Sequence, residues 1–246
     1  MSPTAGTVRV LPTPDELARA VAEALIGRIA EVQADGRVPA IALTGGSIAR
    51  AIHRAAASSV SGLDVDWSQV DVWFGDERYV DAWSEDRNAR QARLDLLDHV
   101  EVDPQRVHEM PAADSGLPLD EAAAAYADEV RAGVPDGFDL VMLGMGPDGH
   151  VASLFPGFPQ LDEADAAAVP VTGSPKPPPE RISLTYPVLN DTRATWFLVT
   201  SADKRDVATL ARGGAADRAT VPAAGISPAR APGELVWWLD RAAAGS

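Results

Sequence analysis

Asp148 and His150, set in a glycine-rich turn, are the residues of this chain best suited to chemistry. An unperturbed imidazole is close to half-ionised near neutral pH, so His150 can take up a proton and return it. The turn follows an apolar run from Leu140 to Leu143. Gly144, Gly146 and Gly149 let the backbone bend tightly and approach a ligand, and Pro156 stops the segment before a long helix can form. The spacing leaves open whether Asp148 orients His150 or serves only the turn. His53, in a helical pattern, and His99 and His108, beside a polar connector, read as structural or surface residues.

Two other polar clusters also follow apolar runs. Thr44-Gly45-Gly46-Ser47 lies between the run ending at Leu43 and a helical pattern starting at Ile48. Such a strand, glycine loop and helix present free backbone N–H groups and a positive helix end to an anion. The spacing is not that of a P-loop, and the lysine of that motif is absent. Gly75-Asp76-Glu77-Arg78 follows the run from Val70 to Phe74; it is either a solvated turn with an internal ion pair or a carboxylate beside an anion-binding arginine. Lys176 and Lys204 are the only lysines of the chain. Coding bias explains lysine scarcity on its own, but Lys204 in a first helical turn opposes the helix dipole and so points to a local anion.

The elements that must position these residues alternate. Thr13 caps a helix with Pro14 in its first turn, running through Leu17, Val21, Leu25 and Ile29 to Gly36. Strands are expected at 38–43, 70–74, around 140–143, at 194–200 and at 234–239, with a brief one at Val107. Helices are expected at 48–58, at 84–97 with Ser84 as cap, at 119–130, at 186–189 and at 203–210 with Ser201 as cap. The stretch 173–179, with four prolines, is a loop whose stiffness favours a preset wall over a lid, and the tail reads as frayed. This alternation predicts an α/β fold, one domain over residues 1–246, with a mostly parallel sheet between helices.

Apolar residues make up 46% and charged residues 23% of the 246, ordinary values for a globular protein. No apolar run approaches the roughly 20 residues that span a bilayer, and the N-terminus lacks a signal pattern. There is no cysteine, hence no thiolate nucleophile and no cysteine-based metal site; a cytoplasmic home is expected. A formal charge of -15 argues against nucleic acid and anionic membrane as partners, but not against a small anion held by a local cluster.

Taken together, Ala42–Ser47, Trp73–Arg78 and Leu143–Gly157 resemble the 6-phosphogluconolactonase family, in that family's order, with Arg181–Leu184 and Lys204 fitting its later pattern. The resemblance implies a modified Rossmann-like three-layer sandwich and hydrolysis of 6-phospho-D-glucono-1,5-lactone in the oxidative pentose phosphate pathway, without metal or organic cofactor. A δ-lactone is an activated ester, so the reaction needs a deprotonated water, a stabilised oxyanion and a proton for the leaving ring oxygen. His150 is the expected base, with Asp148 beside it. Expected substrate and phosphate contacts are Gly45, Gly46, Ser47, Arg50, Asp76, Arg78, Arg181 and Lys204, the Ser47 loop and Lys204 holding phosphate by family analogy. The partner is a small sugar phosphate, and the chain is expected to be a monomer or weak homodimer.

Three rival readings remain. Gly144, Gly146 and Gly149 match a dinucleotide fingerprint, but Pro156 interrupts the helix that motif requires. An aminosugar-phosphate deaminase or isomerase would be expected to carry an Asn-Glu pair soon after the histidine, where this chain has Ser153-Leu-Phe-Pro-Gly157. A non-catalytic sugar-phosphate-binding module would not need to retain His150.

Overall fold

The computed structural model describes residues 6–59 and 65–245. The elements follow in the order β1 (Thr7–Leu11), α1 (Pro14–Ala34), β2 (Ala40–Leu43), α2 (Ser47–Ala57), β3 (Asp71–Phe74), β4 (Asp76–Arg78), α3 (Asn88–Asp95), α4 (Leu119–Gly133) and β5 (Leu140–Gly144). β6 (Ala168–Val171), β7 (Arg181–Leu184), α5 (Tyr186–Asn190), β8 (Ala194–Val199), α6 (Arg205–Arg212), β9 (Glu234–Asp240) and α7 (Arg241–Ala244) complete them. Six strands form one parallel sheet in the order β1-β9-β8-β5-β2-β3, and β4-β7-β6 form a small antiparallel sheet.

Side-chain alternation divides the central sheet between two cores. Ile41, Leu43, Leu140, Met142, Trp196 and Trp238 face the layer that contains α1, α2 and α3. Ala42, Val141, Leu143, Phe197 and Trp237 face α4, the small sheet and α6. Trp237 stacks on Phe197 with ring centroids 3.8 Å apart, while Trp238 meets Trp196 edge-on on the opposite face. Both faces are therefore closed by apolar packing, as the near-continuous hydrophobic strands require. The three-layer α/β expectation holds.

Several boundaries differ from those expected, each for a tertiary reason. α3 starts at Asn88 rather than near Ser84, because its cap is the carboxylate of Glu77 on β4. Glu77 accepts from the amides of Asn88 at 2.7 Å and Ala89 at 2.8 Å, as well as from Arg78 N at 2.8 Å. Ser201 has φ +86° and does not cap the following helix; its amide donates to Asp240, and α6 begins only at Arg205 after one tight turn, Ala202–Lys204. Asp240 also caps α7, accepting from Ala243 N at 2.7 Å, so the tail is helical to Ala244 rather than frayed. Val107 makes a single bridge to Val72 instead of a strand.

Candidate active site

The sheet order places β2 and β5 side by side, while the chain leaves β2 toward β3 and leaves β5 toward β8. This reversal is the topological switch point, beyond whose carboxyl ends open α/β sheets bind ligands. The two loops that follow are tied by Gly144 N donating to Thr44 Oγ1 at 3.3 Å. They line a cavity of about 240 Å³, together with Asp76, Arg78, Lys176 and Lys204.

On one wall, His150 Nδ1 lies 2.5 Å from Asp148 Oδ1, which leaves Nε2 as the ring's free nitrogen. Burial by itself would raise the Asp148 carboxyl, but the hydrogen bond and charge of His150 outweigh it and hold it down to about 2. Asp148 is therefore an anion throughout the neutral range. The turn is closed by Gly146 N donating to His150 O and Gly149 N donating to Gly146 O, both at 3.0 Å. Gly146 is required for a simple reason: a Cβ there would sit 2.1 Å from His150 Cε1. Phe155 packs against the imidazole at 4.6 Å between centroids.

The chain does not form a helix after this turn, as a dinucleotide site would require. Instead, Ser153 Oγ donates to Asp76 Oδ2 at 2.7 Å, and Ser153 N donates to Ser183 Oγ at 3.1 Å. These bonds fasten the histidine loop to the small sheet and hold Asp76 at the cavity.

Gly46, with φ +94°, turns the other loop into α2, whose first turn carries no acid. Ser47 and Ile48, at the start of this helix, line the cavity and bring the partial positive charge of the helix end to it. Lys204 lines the same cavity. Burial pulls its ammonium below the ordinary lysine value; Asp203 opposes that effect and Lys176 adds to it.

Of the three arginines expected at the site, Arg78 and Arg181 line the cavity and Arg50 does not. Arg78 lines the cavity and donates to Asp86 O at 2.5 Å. Arg50 is not brought there: its Nε binds Asp95 at 2.6 Å, and Arg54 binds the same carboxylate, on the α2–α3 side. The phosphate contact expected of Arg50 thus falls on a guanidinium that is paired with Asp95 and does not line the cavity. Arg181 is only 4% exposed and its Nε and Nη2 donate to the carbonyls of Pro178, Lys176 and Pro177 at 2.9–3.2 Å. Arg181 also lines the cavity, with Nη1 4.0 Å from Asp76 Oδ2, while its other two nitrogens hold the 173–179 loop.

Asn88 and Lys176 also line the cavity and were not anticipated as site residues. Asn88 donates to Asp76 O at 2.8 Å and to Asp76 Oδ1 at 3.2 Å, and nothing in its sequence surroundings signals this. Lys176 does have a signal, since both lysines of a lysine-poor chain meet at one cavity. Among the remaining histidines, His53 is fully buried with both ring nitrogens unpartnered, and burial lowers it to about 4. His108 stacks on Trp73 and binds Glu129 at 2.7 Å, and His99 binds Leu94 O at 2.9 Å. All three lie away from the cavity, as expected. Among the described residues no group of acids and histidines forms a metal cluster, and no helix is long and apolar enough to cross a membrane.

Residues 12–237 match the family described as glucosamine-6-phosphate isomerases/6-phosphogluconolactonase. A 6-phosphogluconolactonase of Streptomyces coelicolor is 43% identical over 237 residues, covering 93% of this chain and 89% of that one. One from Mycobacterium tuberculosis is 40% identical over 245 residues, covering 97% of both. The solved structure of the 6-phosphogluconolactonase from Trypanosoma cruzi superposes with a TM-score of 0.86 over 100% of this chain and 98% of its own; at 23% identity, that likeness concerns the fold. This chain belongs to the glucosamine-6-phosphate isomerase/6-phosphogluconolactonase family.

Proposed function

We propose that this member of the family hydrolyses 6-phospho-D-glucono-1,5-lactone to 6-phospho-D-gluconate, with His150 as general base. The observation that carries this reading is the Asp148–His150 pair at 2.5 Å, facing a cavity whose other side offers the start of α2 and Lys204. An acid–base group and an anion site within one small cavity suit a phosphorylated ester. The names of the relatives from Streptomyces coelicolor and Mycobacterium tuberculosis support the same substrate.

In this reading Asp148 accepts the Nδ1 proton of His150, so Nε2 carries the basic lone pair. Nε2 takes a proton from water as the water oxygen bonds to C1 of the lactone, and the carbonyl electrons move onto oxygen. Asp148, ionised and adjacent, stabilises the imidazolium that forms. Collapse of the tetrahedral intermediate breaks the bond from C1 to the ring oxygen, which takes the proton back from Nε2. No covalent enzyme intermediate is needed. Asp76 and Arg78 stand on the sugar-hydroxyl side, and Gly45, Gly46, Ser47 and Lys204 receive the phosphate.

The test is a lactonase assay with freshly prepared 6-phosphogluconolactone, corrected for its spontaneous hydrolysis. Turnover well above background is expected. A rate equal to background would overturn the reading.

A further inference from the structure

The geometry points to Lys176 as a second phosphate-binding cation, one that brackets the substrate phosphate with Lys204 and is set in place by Arg181. This deepens the hydrolase reading and rests on it for the choice of sugar phosphate, but not for the charge of the ligand.

Three observations lead there. The first is convergence: the chain has only these two lysines among 246 residues, and both line the same cavity. A net charge of -15 makes a pair of ammonium groups at one small cavity all the more particular. Among the described residues neither lysine belongs to an ion pair, whereas buried or half-buried arginines such as Arg28, Arg87 and Arg106 do.

The second is immobilisation of the loop. Lys176 O accepts from Arg181 Nη2 and from Ser174 Oγ, both at 2.9 Å, and Lys176 N donates to Ser174 Oγ at 3.3 Å. Ser174 N closes the loop onto Pro179 O at 3.0 Å. A surface loop that needed only to connect β6 to β7 would not require a buried guanidinium beneath it. With the main chain of residue 176 fixed on every side, the side chain starts from a set position, which lowers the entropic cost of fixing the ammonium on a ligand.

The third is mutual repulsion. Lys176 and Lys204 are close enough to influence each other, and both act on Asp203. Two like charges brought together in a partly buried cavity raise the energy of the free protein, and a dianion removes that penalty. A phosphate monoester carries nearly two negative charges at neutral pH and offers three acceptor oxygens, enough for both ammonium groups and the amides at the start of α2. A carboxylate or a neutral sugar would leave one lysine unmatched. The assignment also gives Arg181, which itself lines the cavity, a positioning role through the carbonyls of residues 176–178.

The experiment compares binding of 6-phosphogluconate, gluconate and inorganic phosphate to the wild-type chain, Lys176→Ala and Lys176→Arg by calorimetry. Lys176→Ala is expected to weaken 6-phosphogluconate and inorganic phosphate by about tenfold to a hundredfold, the range for a hydrogen bond to a charged group. Gluconate affinity should stay unchanged, and Lys176→Arg should recover part of the loss. Because the side chain leaves an already anchored loop, Lys176→Ala should melt with the wild type. Unchanged affinity for 6-phosphogluconate in Lys176→Ala overturns the assignment, as does an equal loss for gluconate. Inorganic phosphate separates the two proposals: lysine-dependent phosphate binding in a chain without lactonase turnover would sink the substrate assignment and leave the bracket standing.

Discussion

The side-chain amide of Asn88 lies directly against the α-carbon of Gly45: a methyl group on residue 45 would sit 1.7 Å from Asn88 Oδ1. The glycine loop after β2 and the first residue of α3 therefore share one volume. Since Asn88 also holds Asp76, the glycine loop after β2 and the start of β4 are joined at the cavity through this one amide.

Gly45→Ala is expected to lower affinity for 6-phosphogluconate by about tenfold or more and to destabilise the chain by about 1–3 kcal/mol through overpacking. Asn88→Ala removes the obstructing atoms. In a double-mutant cycle followed by urea unfolding, the pair should be less destabilising than the sum of the two singles. Strict additivity would mean that the contact does not couple the two loops.

The direction of the hydrogen bond between Asp148 and His150 can be tested by Asp148→Asn. An amide N–H facing Nδ1 would move the ring proton to Nε2 and remove the basic lone pair from the substrate side. A fall in kcat of about 10²- to 10⁴-fold is expected, close to that of His150→Ala, with little change in affinity for 6-phosphogluconate. Corrected steady-state rates and calorimetry check the two halves. If Asp148→Asn retained near wild-type kcat, Asp148 would be serving only the turn.

His53 predicts an acid-side loss of stability that has nothing to do with the cavity. Its pKa falls from 6.5 to about 4 on folding, chiefly because burial excludes the charged form. The unfolded chain then binds the proton more readily, so this contribution is fully present above pH 6.5 and is lost as the pH falls toward 4. Between pH 7 and pH 5 the single group accounts for about 2 kcal/mol. His53→Leu, which also removes two unpartnered ring nitrogens, should flatten that part of the profile in urea titrations at the two pH values. An unchanged slope would assign the acid sensitivity to other groups.

What the sequence made legible was chemistry at strand ends. Ser47, Arg78, His150 and Lys204 all line the cavity because the segments leaving the carboxyl ends of neighbouring parallel strands converge there, and Asp148 is held against His150. What it concealed was where charges are neutralised. Arg50 meets Asp95, a residue 45 positions further on, and Arg181 meets three carbonyls of a loop; neither partner is encoded in the local pattern. β1 escaped notice because Thr7–Val10 are exposed on an edge strand and carry no buried run. β6 was hidden by Pro170, which a strand tolerates only where one side is unpaired, and β6 pairs with β7 alone. β4, with three charged residues, reads as a turn until β7 supplies its ladder.

Because the cap of α3 is borrowed from β4, this helix cannot be completed by its own segment. The amides of Asn88 and Ala89 have Glu77 as their acceptor, and β4, which carries Glu77, is held in its ladder by β7, about a hundred residues downstream. The two amide protons are thus natural reporters of long-range closure, and in hydrogen exchange they should open with the small sheet rather than fray with the helix end.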